Sequence, residues 1–209
     1  IEIKVEKRKY MRRFKAEEIQ EIIEILKNDG VISVPTDTVY GVCSQVSSHQ
    51  AEENLRNVKH RPLTKAFPVM CTDLEQIQEI AEVDERAKKV IEGFMPGPLT
   101  VILKRKDGVN LSQENLDTIA IRMATSNTLA KIIKGLGRPI FMTSANQSGE
   151  PTCTSLDEIE KSCPDLDGML EGDVSFGEAS TIVDCTKEEL VILRPGPITM
   201  QDITEKLMK

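Results

Sequence analysis

What most constrains this chain is how its short apolar runs begin and stop. Residues 31–34 run straight into Pro35, residues 140–143 empty into a loop at Ser144, and the run around Ile119 and Ile121 closes on Arg122. Between such runs apolar residues recur at helical spacing, as at Ile19, Ile22, Ile23 and Leu26, with Gly30 behind them as a stop. The pattern predicts helices over 16–27, 50–58, 74–81, 85–94, 127–136 and 156–161. It predicts strands over 31–34, 39–46, 67–71, 99–103, 119–123, 140–143, 181–183 and 191–193. Strands alternating with helices make an α/β layered fold. No repeat or long linker divides the 209 residues, so one domain is expected over 16–200, with a basic arm or edge strand at 1–15 and a tail at 201–209.

Charge and cysteine content exclude several function classes. Residues 1–15 carry seven cations against two carboxylates, a local +5 that leaves −12 on the rest of a chain of net charge −7. Such an arm could contact RNA or another polyanion, or serve only as a solubilising edge strand. An acidic body argues against a protein that coats nucleic acid non-specifically. Five scattered cysteines, at 43, 71, 153, 163 and 185, show no C-x-x-C pair. They read as reduced, buried thiols rather than as a disulfide framework or a zinc site. No apolar run approaches the roughly 18 residues of a membrane span, and no signal peptide is visible, so a cytoplasmic protein is expected.

Four turn-rich motifs carry the chemistry: Pro35-Thr-Asp-Thr-Val-Tyr-Gly41, Lys59-His-Arg-Pro62 with Lys65, Ser144-Ala-Asn-Gln-Ser-Gly149, and Arg194-Pro-Gly196. Each stands where α/β folds place ligand-binding loops. Lys59 and Arg61, two apart, diverge from a turning segment; Arg offers a planar fork to phosphate oxygens and Lys a point charge. The bland alternative is a solvated basic loop after a helix C-terminus. Thr36, Asp37, Thr38 and Tyr40 could grip a small polar substrate or merely satisfy their own turn, while Gly41 permits close backbone approach. The small-residue loop at Ser144, Asn146 and Ser148 could present successive backbone N–H groups to an anion. It is not a P-loop, and no dinucleotide fingerprint occurs. Arg122 and Arg194 each suit either a carboxylate ligand or a structural ion pair.

In this order the motifs resemble the YrdC/Sua5 family of L-threonylcarbamoyladenylate synthases in its short form. The resemblance runs over about 16–198. It also includes Phe94-Met-Pro-Gly-Pro-Leu-Thr100, Ile121-Arg122, and Ser180-Thr181 with Asp184. It implies a single twisted mixed sheet flanked by helices, with a concave, positively lined cavity. It also implies an enzyme that combines L-threonine, bicarbonate or CO2, and ATP with its Mg2+, without a prosthetic group or dedicated metal site. The products would be threonylcarbamoyl-AMP and pyrophosphate, the former passing to a separate transferase complex that makes t6A at tRNA position 37. By the same resemblance Lys59, Arg61, Lys65, Thr118, Ser144, Asn146, Thr152 and Arg194 would face ATP, Lys59 and Arg61 being the catalytic cations. Thr38, Tyr40, Thr72, Arg122 and Ser180 would face threonine, Arg122 pairing with its carboxylate. The chain departs from the family in three places: two extra residues between Arg61 and Pro68, Thr72 where some relatives carry His, and Ala124 where Pro is common. The competing reading is a non-catalytic RNA-binding module of the same fold. A hydrogenase-maturation relative would need acylphosphatase and zinc-finger segments, and the sequence has nothing like them.

Overall fold

The computed structural model describes residues 11–113 and 116–209. Among these, ten strands form one mixed sheet: β1 (Arg13–Phe14), β2 (Ile32–Pro35), β3 (Tyr40–Gln45), β4 (Val69–Cys71), β5 (Leu99–Lys104), β6 (Thr118–Met123), β7 (Ile140–Ser144), β8 (Gly168–Leu170), β9 (Thr181–Asp184) and β10 (Val191–Arg194). Their lateral order is β1-β8-β2-β3-β7-β4-β6-β5-β9-β10. The helices are α1 (Ile19–Lys27), α2 (His49–Lys59), α3 (Leu74–Ile80), α4 (Glu85–Phe94), α5 (Asn127–Leu136), α6 (Leu156–Ser162) and α7 (Met200–Leu207). Most helix starts are written locally. Ser48, Asp73, Asp84, Ser126, Ser155 and Thr199 each accept the backbone N–H three residues on, which satisfies a donor the helix itself cannot.

The structure departs from the sequence reading in a few elements. The helix expected over 16–27 opens with a 3-10 turn at Ala16–Glu18 before α1 begins. The strand expected over 67–71 starts only at Val69, because Pro68 has no N–H for the ladder; the Phe67 N–H instead donates to Gln113 Oε1 at 2.7 Å. Residues 201–209 are not a loose tail. A Thr199–Asp202 capping box starts α7, and Ile203 on it is fully buried. Strands β1 and β8, two and three residues long, are too short to show alternation. Of the basic arm, residues 1–10 lie outside the described residues. Its described end is an edge strand, where Arg12 pairs with Glu18 and Glu21, and Arg13 with Asp157 and Glu160.

Strand register decides which side chains share a face. Met70 lies beside both Ile140 and Arg122, and Thr100 beside Ile182, so all five project to one side of the sheet. On that side α1 and α5 bury Ile22, Ile23, Leu26, Leu129, Ile132 and Ile133 against Ile32, Val34, Met70, Ile140 and Met142. No residue of β5, β6 or β9 belongs to that cluster. The opposite face packs under α2, α3, α4, α6 and α7, with Phe141, Ile121, Val101 and Val183 pointing into it. One half of one face is therefore left without a covering helix, and there a cavity opens. All five cysteines are buried and unpaired, and burial pushes the Cys43 and Cys185 thiols up to about 12. Among the described residues no helix is long and apolar enough to cross a membrane.

Candidate active site

The cavity over β5, β6, β7 and β9 has a volume of about 400 Å³. Its wall includes Thr36, Thr38, Thr100, Arg122, Ser144, Thr152, Ser180 and Arg194, and the backbone of Gly41, Gly177 and Ala179. Six residues expected from the sequence thus meet here: Thr38, Arg122, Ser144, Thr152, Ser180 and Arg194. They come from three strands and three loops that are distant in the chain. Hydroxyls and two guanidinium groups are set among apolar Val39, Val69, Met142 and Ile182, and among the described residues no carboxylate-bearing one is part of the wall. A ligand carrying negative charge is the natural occupant.

One wall is the turn between β2 and β3. Thr36 Oγ1 donates to Val39 O at 2.5 Å and accepts from the N–H groups of Thr38 and Val39, so its hydroxyl is spent on the turn. Thr38, whose own hydroxyl has only a 3.4 Å contact with Thr36 Oγ1, is left to face the cavity. Asp37, at the corner, accepts from Arg122 Nη2 with both oxygens, at 3.1 and 3.2 Å. Arg122 Nη2 also donates to Gly97 O at 3.2 Å, whereas its Nε–H is buried with no acceptor. Gly41 is required because a Cβ there would stand 2.5 Å from Met142 Sδ and 3.1 Å from Thr143 O.

A second wall joins β5, β9 and β10. Thr100 Oγ1 and Ser180 Oγ lie 2.8 Å apart. Arg194 clasps Ser180, with Nε and Nη2 donating to its carbonyl at 3.0 and 2.8 Å and Nη2 to its hydroxyl at 3.0 Å. Gly196 lets the chain after β10 pass so close that a Cβ would meet Thr181 N at 2.5 Å and Ala179 O at 2.7 Å. Thr100 was not among the expected site residues, although the Phe94–Thr100 motif contains it; only the pairing of β5 with β9 brings it to Ser180.

Behind the third wall stands Lys59, the last residue of α2, only 2% exposed. Its ammonium donates to Ser144 O and, at 3.1 Å, to Asn146 Oδ1. Ser144 Oγ donates to the same amide oxygen, and Asn146 Nδ2 donates to Gln147 O and Glu150 O. An ammonium has three hydrogens, and these contacts use two. Burial, with a smaller contribution from Arg61, pulls Lys59 down to about 8. Two of the backbone N–H groups that the sequence reading offered to an anion are taken up within the fold. Ala145 N–H already donates to Tyr40 O and Ser148 N–H to Lys59 O. The loop is thus held from β3 and from the end of α2, by backbone bonds and by the lysine.

His60 adopts the left-handed conformation after α2, and Arg61 consequently leaves in a different direction from Lys59. It lies in an adjoining hollow of about 260 Å³ with Thr118; Pro68 and Ala120 border both spaces. Arg61 donates to Lys65 O and Ala66 O and sits 4.9 Å over the Phe67 ring. Burial, then Arg56, lowers its pKa. The remaining expected residues are elsewhere. Lys65 is an exposed loop residue, while Tyr40 turns to the other side of β3, donating to Gly172 O and meeting Phe176 edge-on. Thr72, past the end of β4, bonds Asp73 and Gln76 away from the cavity. A larger hollow, about 750 Å³ along α2, contains Arg61 alone of the expected residues and mixes acids with bases, so size is a poor guide here. Among the described residues no group of three His, Cys, Asp or Glu could hold a metal ion.

Comparison with known proteins shows relatives of this fold. A family model for Sua5/YciO/YrdC proteins, described as telomere recombination, matches residues 24–196. A putative threonylcarbamoyl-AMP synthase of Methanocaldococcus jannaschii is 32% identical over 90% of this chain and 91% of its own length. The crystal structure of Pyrococcus abyssi Sua5 complexed with L-threonine superposes with a TM-score of 0.85 at 27% identity, covering 94% of this chain and 60% of that one. That of Escherichia coli YciO gives 0.81 at 26% identity, covering 92% of this chain and 99% of that one. The chain spans just over half the length of the threonylcarbamoyl-AMP synthases of P. abyssi and Bacillus subtilis, 54% and 55%.

Proposed function

The chain belongs to the Sua5/YciO/YrdC family, and on that premise we propose that it is an L-threonylcarbamoyladenylate synthase. It would form threonylcarbamoyl-AMP and pyrophosphate from L-threonine, bicarbonate or CO2, and ATP. The observation that carries this is the buried Nε–H of Arg122, without an acceptor among the described residues, in a cavity whose other polar side chains are hydroxyls and a second arginine. A small amino acid with a hydroxyl and a carboxylate matches those donors. The free amine of threonine captures CO2 and loses a proton to give a carbamate. A carbamate oxygen then attacks the α-phosphorus of ATP, and the bond to the β-phosphate oxygen breaks with release of pyrophosphate. No protein nucleophile is needed. The chain's part is to hold two anions in line and to stabilise charge on the leaving group.

In this reading Thr38, Arg122 and Ser180 hold threonine, Arg122 through its carboxylate. ATP, bringing its Mg2+, extends toward the adjoining hollow of Arg61 and Thr118, past Thr152, Ser144 and Asn146, with Arg194 between the two substrates. Lys59 supplies its third N–H and its charge from behind Ser144, and Lys65 reaches the phosphates from its loop. Tyr40 backs the turn that carries Thr38 rather than touching substrate. The product would pass to a separate transferase for tRNA t6A37 in the cytoplasm.

Pyrophosphate release from ATP and bicarbonate, with and without L-threonine and with L-serine as control, tests the proposal. Release that depends on threonine, with a nucleotide product heavier than AMP by the threonylcarbamoyl group, is the expected result. Binding of ATP and threonine without any release would overturn it and favour the non-catalytic module.

A further inference from the structure

Asp37 is a carboxylate beside a cavity suited to anions, and neither the turn nor the core requires it there. The turn is already closed by Thr36, whose hydroxyl takes three bonds with Thr38 and Val39. Asp37 instead engages Arg122, and it does so through one nitrogen only: both carboxylate oxygens lie on Nη2, at 3.1 and 3.2 Å. Nη2 has two hydrogens, and Gly97 O at 3.2 Å takes the other. The guanidinium is thus tied down at a single corner, while its Nε–H is buried and unsatisfied.

We propose that Asp37 is a positioning residue. By holding Nη2 it fixes the plane of the Arg122 guanidinium so that a single remaining N–H group, on Nε or Nη1, is kept aimed at the carboxylate of the amino acid. This rests on the reading of Arg122 as the carboxylate-binding residue. Asp37 stays in place when substrate binds, because the donors it occupies are not those the ligand needs. Its placement is reinforced from outside the turn: Ser175 Oγ donates to Asp37 O at 2.5 Å, and Gly177 and Ala179 from the same segment form part of the cavity wall. A guanidinium free to rotate must be ordered when the ligand binds; one already held at a corner is spared that cost.

The test measures L-threonine binding by calorimetry and steady-state pyrophosphate release for Asp37→Ala, Asp37→Asn, Arg122→Ala and the double variant Asp37→Ala/Arg122→Ala, with melting temperature as a check on folding. Asp37→Ala is expected to weaken threonine about tenfold or more, the scale of a lost hydrogen bond to a charged group. The KM for ATP should move less than about twofold, and Asp37→Asn, which keeps an acceptor for Nη2, should fall between. In the Arg122→Ala background, removing Asp37 should cost nothing further. Tighter threonine binding in Asp37→Ala would mean that Asp37 competes with the substrate, and would overturn the proposal. Equal losses for threonine and ATP, or a further loss in the double variant, would overturn it as well. Unchanged threonine binding in Arg122→Ala would reject the underlying reading of Arg122, and the role of Asp37 with it. Loss in Arg122→Ala beside an unaffected Asp37→Ala would reject the positioning role alone.

Discussion

Lys59 should couple ATP affinity to pH around its lowered pKa. Its ammonium is buried behind the Ser144 loop, and burial brings it from 10.5 to about 8. If the charged form is the one that meets phosphate, the ligand-free chain at pH 9 holds that form only about one time in eleven. The Kd for ATP should therefore rise about tenfold between pH 7 and pH 9, and Lys59→Ala should flatten the dependence while weakening binding throughout. Stability should run the other way. The folded value lies below the unfolded one, so between about pH 8 and 10.5 the unfolded chain binds more protons, and raising pH stabilises the fold. Integrating from neutral pH, Lys59 contributes about 1.4 kcal/mol to that rise by pH 9. Calorimetric titration with ATP in the absence of threonine isolates the first effect, because the amine of threonine and the CO2 equilibrium also titrate in this range. Urea denaturation of wild type and Lys59→Ala at pH 7 and 9 isolates the second. Wild type and Lys59→Ala weakening in parallel with pH would refute the assignment of the titration to Lys59.

Three further outcomes follow from the geometry. Arg122→Lys should raise the KM for threonine about tenfold, with little effect on that for ATP, since one ammonium cannot serve Asp37, Gly97 O and a ligand from fixed directions; steady-state kinetics in each substrate decides it. Arg61→Ala should abolish pyrophosphate release and also cost about 1–2 kcal/mol of stability, because Arg61 braces the loop at Lys65 O and Ala66 O and covers Phe67; thermal melts and activity read both. Gly41→Ala should destabilise by about 1–3 kcal/mol, lowering the melting temperature by roughly 2–10 °C, because Met142 can yield but the Thr143 carbonyl cannot.

Arg61 illustrates what a linear reading leaves out. As a lone cation in a turn it has the look of a solvated loop charge, worth little to the fold. Nothing local announces that Phe67, six residues on, will lie under its guanidinium, or that carbonyls of the intervening loop will converge on it. Thr72 shows the opposite failure. Motif position suggested a substrate contact, but the end of β4 turns its hydroxyl to Asp73 and Gln76. Tyr40 and Gly41 are adjacent, and strand alternation alone sends one to each side of β3.

The sequence by itself determined the alternation of strands and helices, the starts of most helices and the turn chemistry at the motif loops. These depend on side-chain spacing and on bonds between near neighbours, as with Ser48 to Ala51 or Thr36 to Val39. It also placed cations and hydroxyls, rather than a histidine or a thiol, in the motif loops. Only the tertiary structure decided which of them meet. The lateral strand order, with β9 beside β5 and β7 beside β4, puts Ser180 on Thr100 and Arg122 on the open half of one face. Packing likewise turned Lys59 from a surface cation into a buried one. Those outcomes rest on contacts between residues about 80 or more apart, whose partners are chosen by the register of the whole sheet and by which face the helices cover.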